Sequence, residues 1–393
     1  MSSTQYEEAA QSASDEVASF EDDRKGLIGH FQHALHVTPS LVPLIVLLVG
    51  IGIFGLILGE RFFSAGTLTL ILQQVQIVGI LAAAQTLIIL TAGIDLSVGA
   101  VAVFTTVIMG QFTFRYFIPG AEAVFGCMIG ASDRELAAAI EEGLAVTGHC
   151  AGWIGSTAAS IAIAIGLAAG TAIGAVSGFL VARIKLPPFI VTLGMWQIVL
   201  AANYLYARNE TIRGRDIAEA APPLQFLGTT FSIGGANFTY GVVLMILIVV
   251  VLAYCLRSTA WGRHVYAVGD DPEAAELAGV NVRRTLMSVY MIAGFICALA
   301  AWAMIGRFSS VSPSASTGVV GNIQAITAVV IGGISLFGGR GSIMGAFFGA
   351  LIVGTFELGL RMAGADPQWT FMLIGMLIIA AVAVDQWIRK VSA

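Results

Sequence analysis

Long apolar runs constrain this chain more than any other feature. A helix needs about 20 apolar residues to cross the hydrocarbon core of a bilayer. Ten stretches qualify when short or broken ones are admitted: residues 41–58, 68–90, 96–114, 154–182, 188–206, 240–256, 286–305, 323–337, 342–360 and 370–387. Of the 393 residues 57% are hydrophobic and 11% charged, whereas soluble domains carry about 25% charged residues. Inside lipid every backbone polar group must be satisfied within the protein, and apolar runs of this length do so as helices. The expected fold class is therefore an all-α polytopic membrane protein. An even number of spans puts both termini on one side, and eleven of the 19 Lys and Arg residues fall on that side against eight on the other. Because positive residues favour the inner face, both termini are expected in the cytoplasm.

Residues 1–36 lack an apolar core and are rich in Ser, Ala, Glu and Asp. They read as a disordered acidic cytoplasmic tail ending in a short polar helix that carries His30, His33 and His36. Residues 37–393 form the membrane domain. Basic clusters with interleaved aromatics are missing from the sequence, so no nucleic-acid partner is expected. The phosphate-loop pattern, Ser-His and paired-Asp arrangements within the spans, and metal-ligand spacings are missing too. The chain is expected to be no enzyme, to hold no metal and to use no cofactor of its own.

Between residues 62 and 114 the only charged side chain is Asp95. An ionisable group at such a depth is costly unless paired, wet or used on the backbone. Asp95 precedes a new apolar run and follows Gly93, where the chain is free to bend, so it reads as a structural cap for the next helix. Glycines recur every fourth residue at Gly166, Gly170, Gly174 and Gly178, and again at Gly341, Gly345 and Gly349. Such ridges let helices approach closely in lipid, and a static contact is the expected reading. Ala92-Gly-Ile-Asp-Leu-Ser-Val-Gly99 also echoes Gly332-Gly-Ile-Ser-Leu-Phe-Gly-Gly339, which points to duplicated halves.

The run around Asp95 resembles a signature of the permease subunits of bacterial ATP-binding-cassette importers for monosaccharides, the ribose, xylose and fructose type. Arg183-Ile-Lys-Leu-Pro-Pro-Phe-Ile-Val-Thr-Leu-Gly194, Ala260-Trp-Gly-Arg-His-Val-Tyr-Ala-Val-Gly269 and Ile331-Gly-Gly-Ile-Ser-Leu-Phe-Gly-Gly-Arg-Gly341 resemble further stretches of that family, in its order. The tract 259–269 and the end of the chain look most like the fructose-type branch. The resemblance implies a multi-pass protein of the bacterial inner membrane that pairs with a second copy of itself. It also implies two further partners, a separate ATPase subunit inside, which uses the ATP, and a periplasmic sugar-binding protein outside. The substrate would be a pentose or hexose, possibly of the fructose kind. The alternative is a secondary sugar transporter driven by an ion gradient, which needs a titrating carboxylate such as Asp95 or Glu357.

Within the cytoplasmic connection 257–285, Asp271, Pro272, Glu273, Ala274, Ala275, Glu276 and Gly279 read as a short capped helix. An ordinary loop helix gives the same pattern, but Glu-Ala-Ala-x-x-x-Gly also resembles the start of the loop by which importer permeases dock on their ATPase. The Ile-x-Leu-Pro ending of that motif is missing here. A sugar path calls for amides, hydroxyls and aromatic faces inside apolar helices, and the candidates are Gln73, Gln74, Gln76, Gln85, Trp196, Gln197, Asn203, Asn322, Gln324 and Thr327. Each also has the plainer reading of an interhelical hydrogen bond. Residues 117–152 read as a periplasmic insert with a helix over 132–143, flanked by Cys127 and Cys150, for which a disulfide is expected.

Overall fold

The computed structural model describes residues 41–125, 128, 133–141 and 152–366, together with a few positions between 368 and 383. The expected acidic tail, most of the tenth span, Cys127 and Cys150 all lie outside the described residues.

The chain is a helical membrane bundle. Its order is α1 (Leu41–Leu58), α2 (Ala65–Leu90), α3 (Val98–Gln111), a π-helical turn (Phe112–Phe117), α4 (Ile118–Phe125), α5 (Asp133–Glu141), α6 (Gly152–Ala182) and α7 (Pro188–Ala207). Next come α8 (Gly214–Ala220), a 3-10 turn (Pro222–Gly228), the antiparallel hairpin β1 (Thr230–Ile233) and β2 (Ala236–Thr239), and α9 (Tyr240–Ser258). The last elements are α10 (Ala260–Asp270), α11 (Pro272–Leu277), α12 (Val282–Phe308), α13 (Ala315–Ile331) and α14 (Ile343–Met362). Among the described residues, eight helices are long and apolar enough to cross a membrane, and α13 is a shorter apolar helix.

These helices recover the expected spans from the first to the seventh and the ninth. The eighth is displaced. Expected over 323–337, it runs Ala315–Ile331, because Gly332 and Gly333, the latter with φ of 75°, end the helix and turn the chain back. In the insert, the amphipathic helix expected over 132–143 is described over Asp133–Glu141.

The bundle is centred on α2 and α12, whose inner stretches are fully buried. In the first glycine ridge Gly170, Gly174 and Gly178 sit against α12, while Gly166 faces Met109 of α3. A Cβ on Gly170 would stand 2.7 Å from the Gly294 carbonyl oxygen, and one on Gly178 would stand 3.0 Å from Tyr290 Cβ. The second ridge lets α14 lie on α13, where Gly349 faces the Ala328 carbonyl. Both ridges form close contacts, with Gly341 ahead of α14 facing Ile334 instead, and the van der Waals contact that such glycines permit is what holds helices together where lipid removes the hydrophobic drive.

Candidate functional site

Two regions carry the candidate residues, one at each end of the bundle. At the first, α2 ends at Leu90 and the chain turns back beside it. Ala92 takes φ of 58°, and Gly93 N–H closes the helix on the Ile88 carbonyl at 3.0 Å. This brings Asp95 level with Gln85, so α3 starts inside the bundle rather than at its rim. Irregular backbone at such a place persists only where protein groups satisfy it, and three helices supply them. Gln85 of α2, 0% exposed, meets both backbone groups of Asp95; with its amide turned so that each atom finds a complementary partner, Nε2 donates to the Asp95 carbonyl at 3.1 Å and Oε1 accepts from Asp95 N–H at 3.2 Å. Thr192 of α7 accepts from Leu96 N–H at 3.2 Å and donates to the Ile94 carbonyl at 3.0 Å. Asn322 of α13 donates to the Leu96 carbonyl at 2.7 Å.

Asp95 completes this turn. Ser97 N–H and Ser97 Oγ both donate to its Oδ1 at 2.6 Å. The helix itself begins after its N-cap Ser97, so the Asp95 carboxylate closes the turn two residues ahead of the capping position. The echoing stretch behaves alike. Ile334 N–H closes on the Val329 carbonyl at 3.3 Å, and Ser335 Oγ accepts from Phe337 N–H at 3.4 Å, as Asp95 accepts from Ser97.

The two echoing turns touch each other and α10. Gly339 N–H donates to the Leu90 carbonyl at 3.0 Å. Gly269 lies between them, where a Cβ would run into the Leu90 carbonyl oxygen and stand 2.7 Å from Gly339 N. Tyr266 of α10 donates to the Gly341 carbonyl at 2.9 Å. Burial holds its phenol above the ordinary tyrosine range, which keeps it a donor. Beyond this junction stands α11. Asp271 accepts from Glu273 N–H at 2.9 Å and Ala274 N–H at 3.0 Å, Pro272 fills the first helical position, and Gly279 with φ of 85° ends the turn. Ala275 faces inward. Glu273 and Glu276 are exposed, and Leu277 is 91% exposed.

The other region lies between α2, α12, α13 and α14, at the end away from α10 and α11. A cavity of about 290 Å³ opens there. Gln73, Gln74 and Gln324 line it, as do Arg307, Thr317 and Glu357, and its floor reaches Gly99 near the start of α3. Gln74 Nε2 and Gln324 Nε2 each donate to Glu357 Oε2 at 3.1 Å, and Arg361 pairs with Oε1 at 2.9 Å.

The sequence candidates therefore divide. Gln73, Gln74 and Gln324 meet at this cavity, while Gln85 and Asn322 hold the buried turn. Gln76 accepts from Thr239 Oγ1 at 2.6 Å and Asn203 donates to the Pro313 carbonyl at 3.2 Å, which ties connecting segments to the bundle. Thr327 bonds its own helix at Ile323, Trp196 leans on the main core, and Gln197 is exposed. Sequence reasoning missed Thr192, Tyr266, Gly269 and Leu277 as site residues. The first three lay inside quoted motifs; for Leu277, the signal was an apolar residue on the polar side of a short helix.

A helical bundle with discontinuous, reversing segments and a polar cavity is the architecture of a transport protein. The family described as "Branched-chain amino acid transport system / permease component" matches residues 67–382, and the chain belongs to it. It is the permease subunit of an ATP-binding-cassette importer, a multi-pass inner-membrane protein and no enzyme. The chain is 59% identical over 391 residues to the fructose import permease protein of Rhizobium meliloti, covering 100% of this chain and 97% of that one. It is 32% identical over 346 residues to the ribose import permease protein of Escherichia coli strain K12, covering 88% and 92%. To the D-allose transport system permease protein of the same strain it is 28% identical over 353 residues, covering 88% and 91%. No solved structure gives a significant match.

Proposed function

We propose that this chain imports fructose, working as a pair of identical permease chains with one ATPase subunit docked on each. The family's description speaks of amino acids, but the relatives above are named for sugars. The 59% identity runs from end to end with the one named for fructose. That end-to-end likeness is the observation that carries the substrate. Pairing of two chains rests on the family resemblance read from the motifs.

In this reading α11 is the docking element. It presents Glu273, Glu276 and Leu277 outward while its stem is built into the junction at Gly269. A push on α11 from the ATPase side would reach the ends of α2 and α13 through backbone contacts, with no long side chain between to absorb it. That end of the bundle is then cytoplasmic, and the opposite end, with α8 and the hairpin, receives a periplasmic sugar-binding protein. ATP is used by the partner, and the chain itself needs no cofactor.

The substrate is tested by uptake of labelled fructose, ribose and leucine in cells lacking their own fructose import and supplied with this chain, its ATPase and its binding protein. Fructose is expected to enter fastest. Leucine uptake without fructose uptake would overturn the assignment.

A further inference from the structure

The structure assigns Glu357 as a sugar-hydroxyl acceptor within the permease itself, with Gln74 and Gln324 as its partners, a role that rests on the import reading above. Three helices meet at one carboxylate. Gln74 from α2 and Gln324 from α13 donate to the same oxygen, Oε2, at 3.1 Å each. Arg361, one turn on in α14, holds the other oxygen at 2.9 Å and fixes the direction of the carboxylate. Glu357 is only 15% exposed while Arg361 is 63% exposed, so the carboxylate faces the cavity and the guanidinium faces outward.

The chemistry of this set selects its ligand. A carboxylate between two amides offers strong acceptors and adaptable donors, the pairing that adjacent hydroxyls of a monosaccharide can satisfy. With Arg361 on the carboxylate and Arg307 on the cavity wall, the local charge leans positive, which disfavours a cation. Thr317 adds a hydroxyl, and Ile77, Val78 and Val320 add the apolar faces that the carbon skeleton requires.

The same bonds give the site a conformational consequence. As long as both amides point at Oε2, α2 and α13 are tied together through α14. A sugar hydroxyl donating to Oε2 takes the place of an amide, and the tie is released.

The test uses proteoliposomes holding the permease, its ATPase and its binding protein. Glu357→Gln keeps the shape and removes the charge. It is expected to lower uptake of labelled fructose by about tenfold or more, the worth of a hydrogen bond to a charged group. ATP hydrolysis stimulated by the binding protein should stay as in the unaltered assembly. Gln324→Met should show the same split, and it decides the matter if Glu357→Gln fails to assemble. Normal fructose uptake in both variants would overturn the assignment, as would uptake and hydrolysis falling together, which marks a merely structural tie. Absence of sugar uptake in the unaltered assembly would instead overturn the import reading.

Discussion

Asp95 shows how a single carboxylate can be accommodated deep in a helical bundle without an ion pair to any described residue. Both donors on Ser97 use the same oxygen, and an asparagine Oδ1 can accept from both. Asp95→Asn is therefore expected to fold and transport nearly as the parent does, whereas Asp95→Ala should cost about 1–2 kcal/mol and lower the yield of folded protein. Thermal unfolding in detergent, read beside uptake, checks this. Complete loss of transport in a well-folded Asn variant would instead show that the charge is required. Gln85 carries a larger penalty. Gln85→Leu strips partners from both the N–H and the carbonyl of Asp95, each worth about 1–3 kcal/mol when buried. The expected result is a sharply reduced melting temperature, and an unchanged one would contradict the account of the turn.

At the scale of elements, the junction at Gly269 and the helix α11 separate two uses of glycine. Gly269 is limited by space, with backbone on both sides, so Gly269→Ala forces the ends of α2 and the 332–342 loop apart. It is expected to destabilise by about 1–3 kcal/mol, as overpacking does, and to impair uptake. Gly279 has open space around it but needs positive φ, so Gly279→Ala should cost about 1 kcal/mol and weaken α11 alone. Reversing Glu273 and Glu276 to Lys changes neither packing nor space. It places positive charge in the first turn and on the outward face, and should weaken ATPase assembly while leaving the isolated permease as stable as before. Co-purification of the ATPase with each variant distinguishes the three. Normal assembly after the double reversal would remove α11 from the interface.

At the scale of the molecule, the sequence reveals more of the fold than of the site, for a physical reason. Spans are legible because the bilayer imposes a length and a composition on each one separately. The cap and stop of α11 are legible because Asp271, Pro272 and Gly279 act on neighbours in the chain. The buried turn was only half legible. Asp95 and Ser97 are two residues apart, but Leu96 meets Thr192 and Asn322 across 96 and 226 residues. Nothing local marks those partners out among the other polar residues of the spans. The same holds for Gln74 and Gln324, which became a site only when α14 brought Glu357 between them. The boundary of α13 was misplaced because apolar composition continues past Gly332 and Gly333, and backbone conformation rather than hydrophobicity ends the helix there. In the proposed arrangement, movement of sugar through this bundle is driven by ATP use at the α11 end. Proteoliposomes with the permease, its ATPase and its binding protein test it by comparing ATP supplied on the ATPase side with imposed proton or sodium gradients in ATP-free vesicles. Fructose uptake is expected with ATP alone and to vanish when the ATPase is omitted; uptake driven by an ion gradient without ATP would contradict the account.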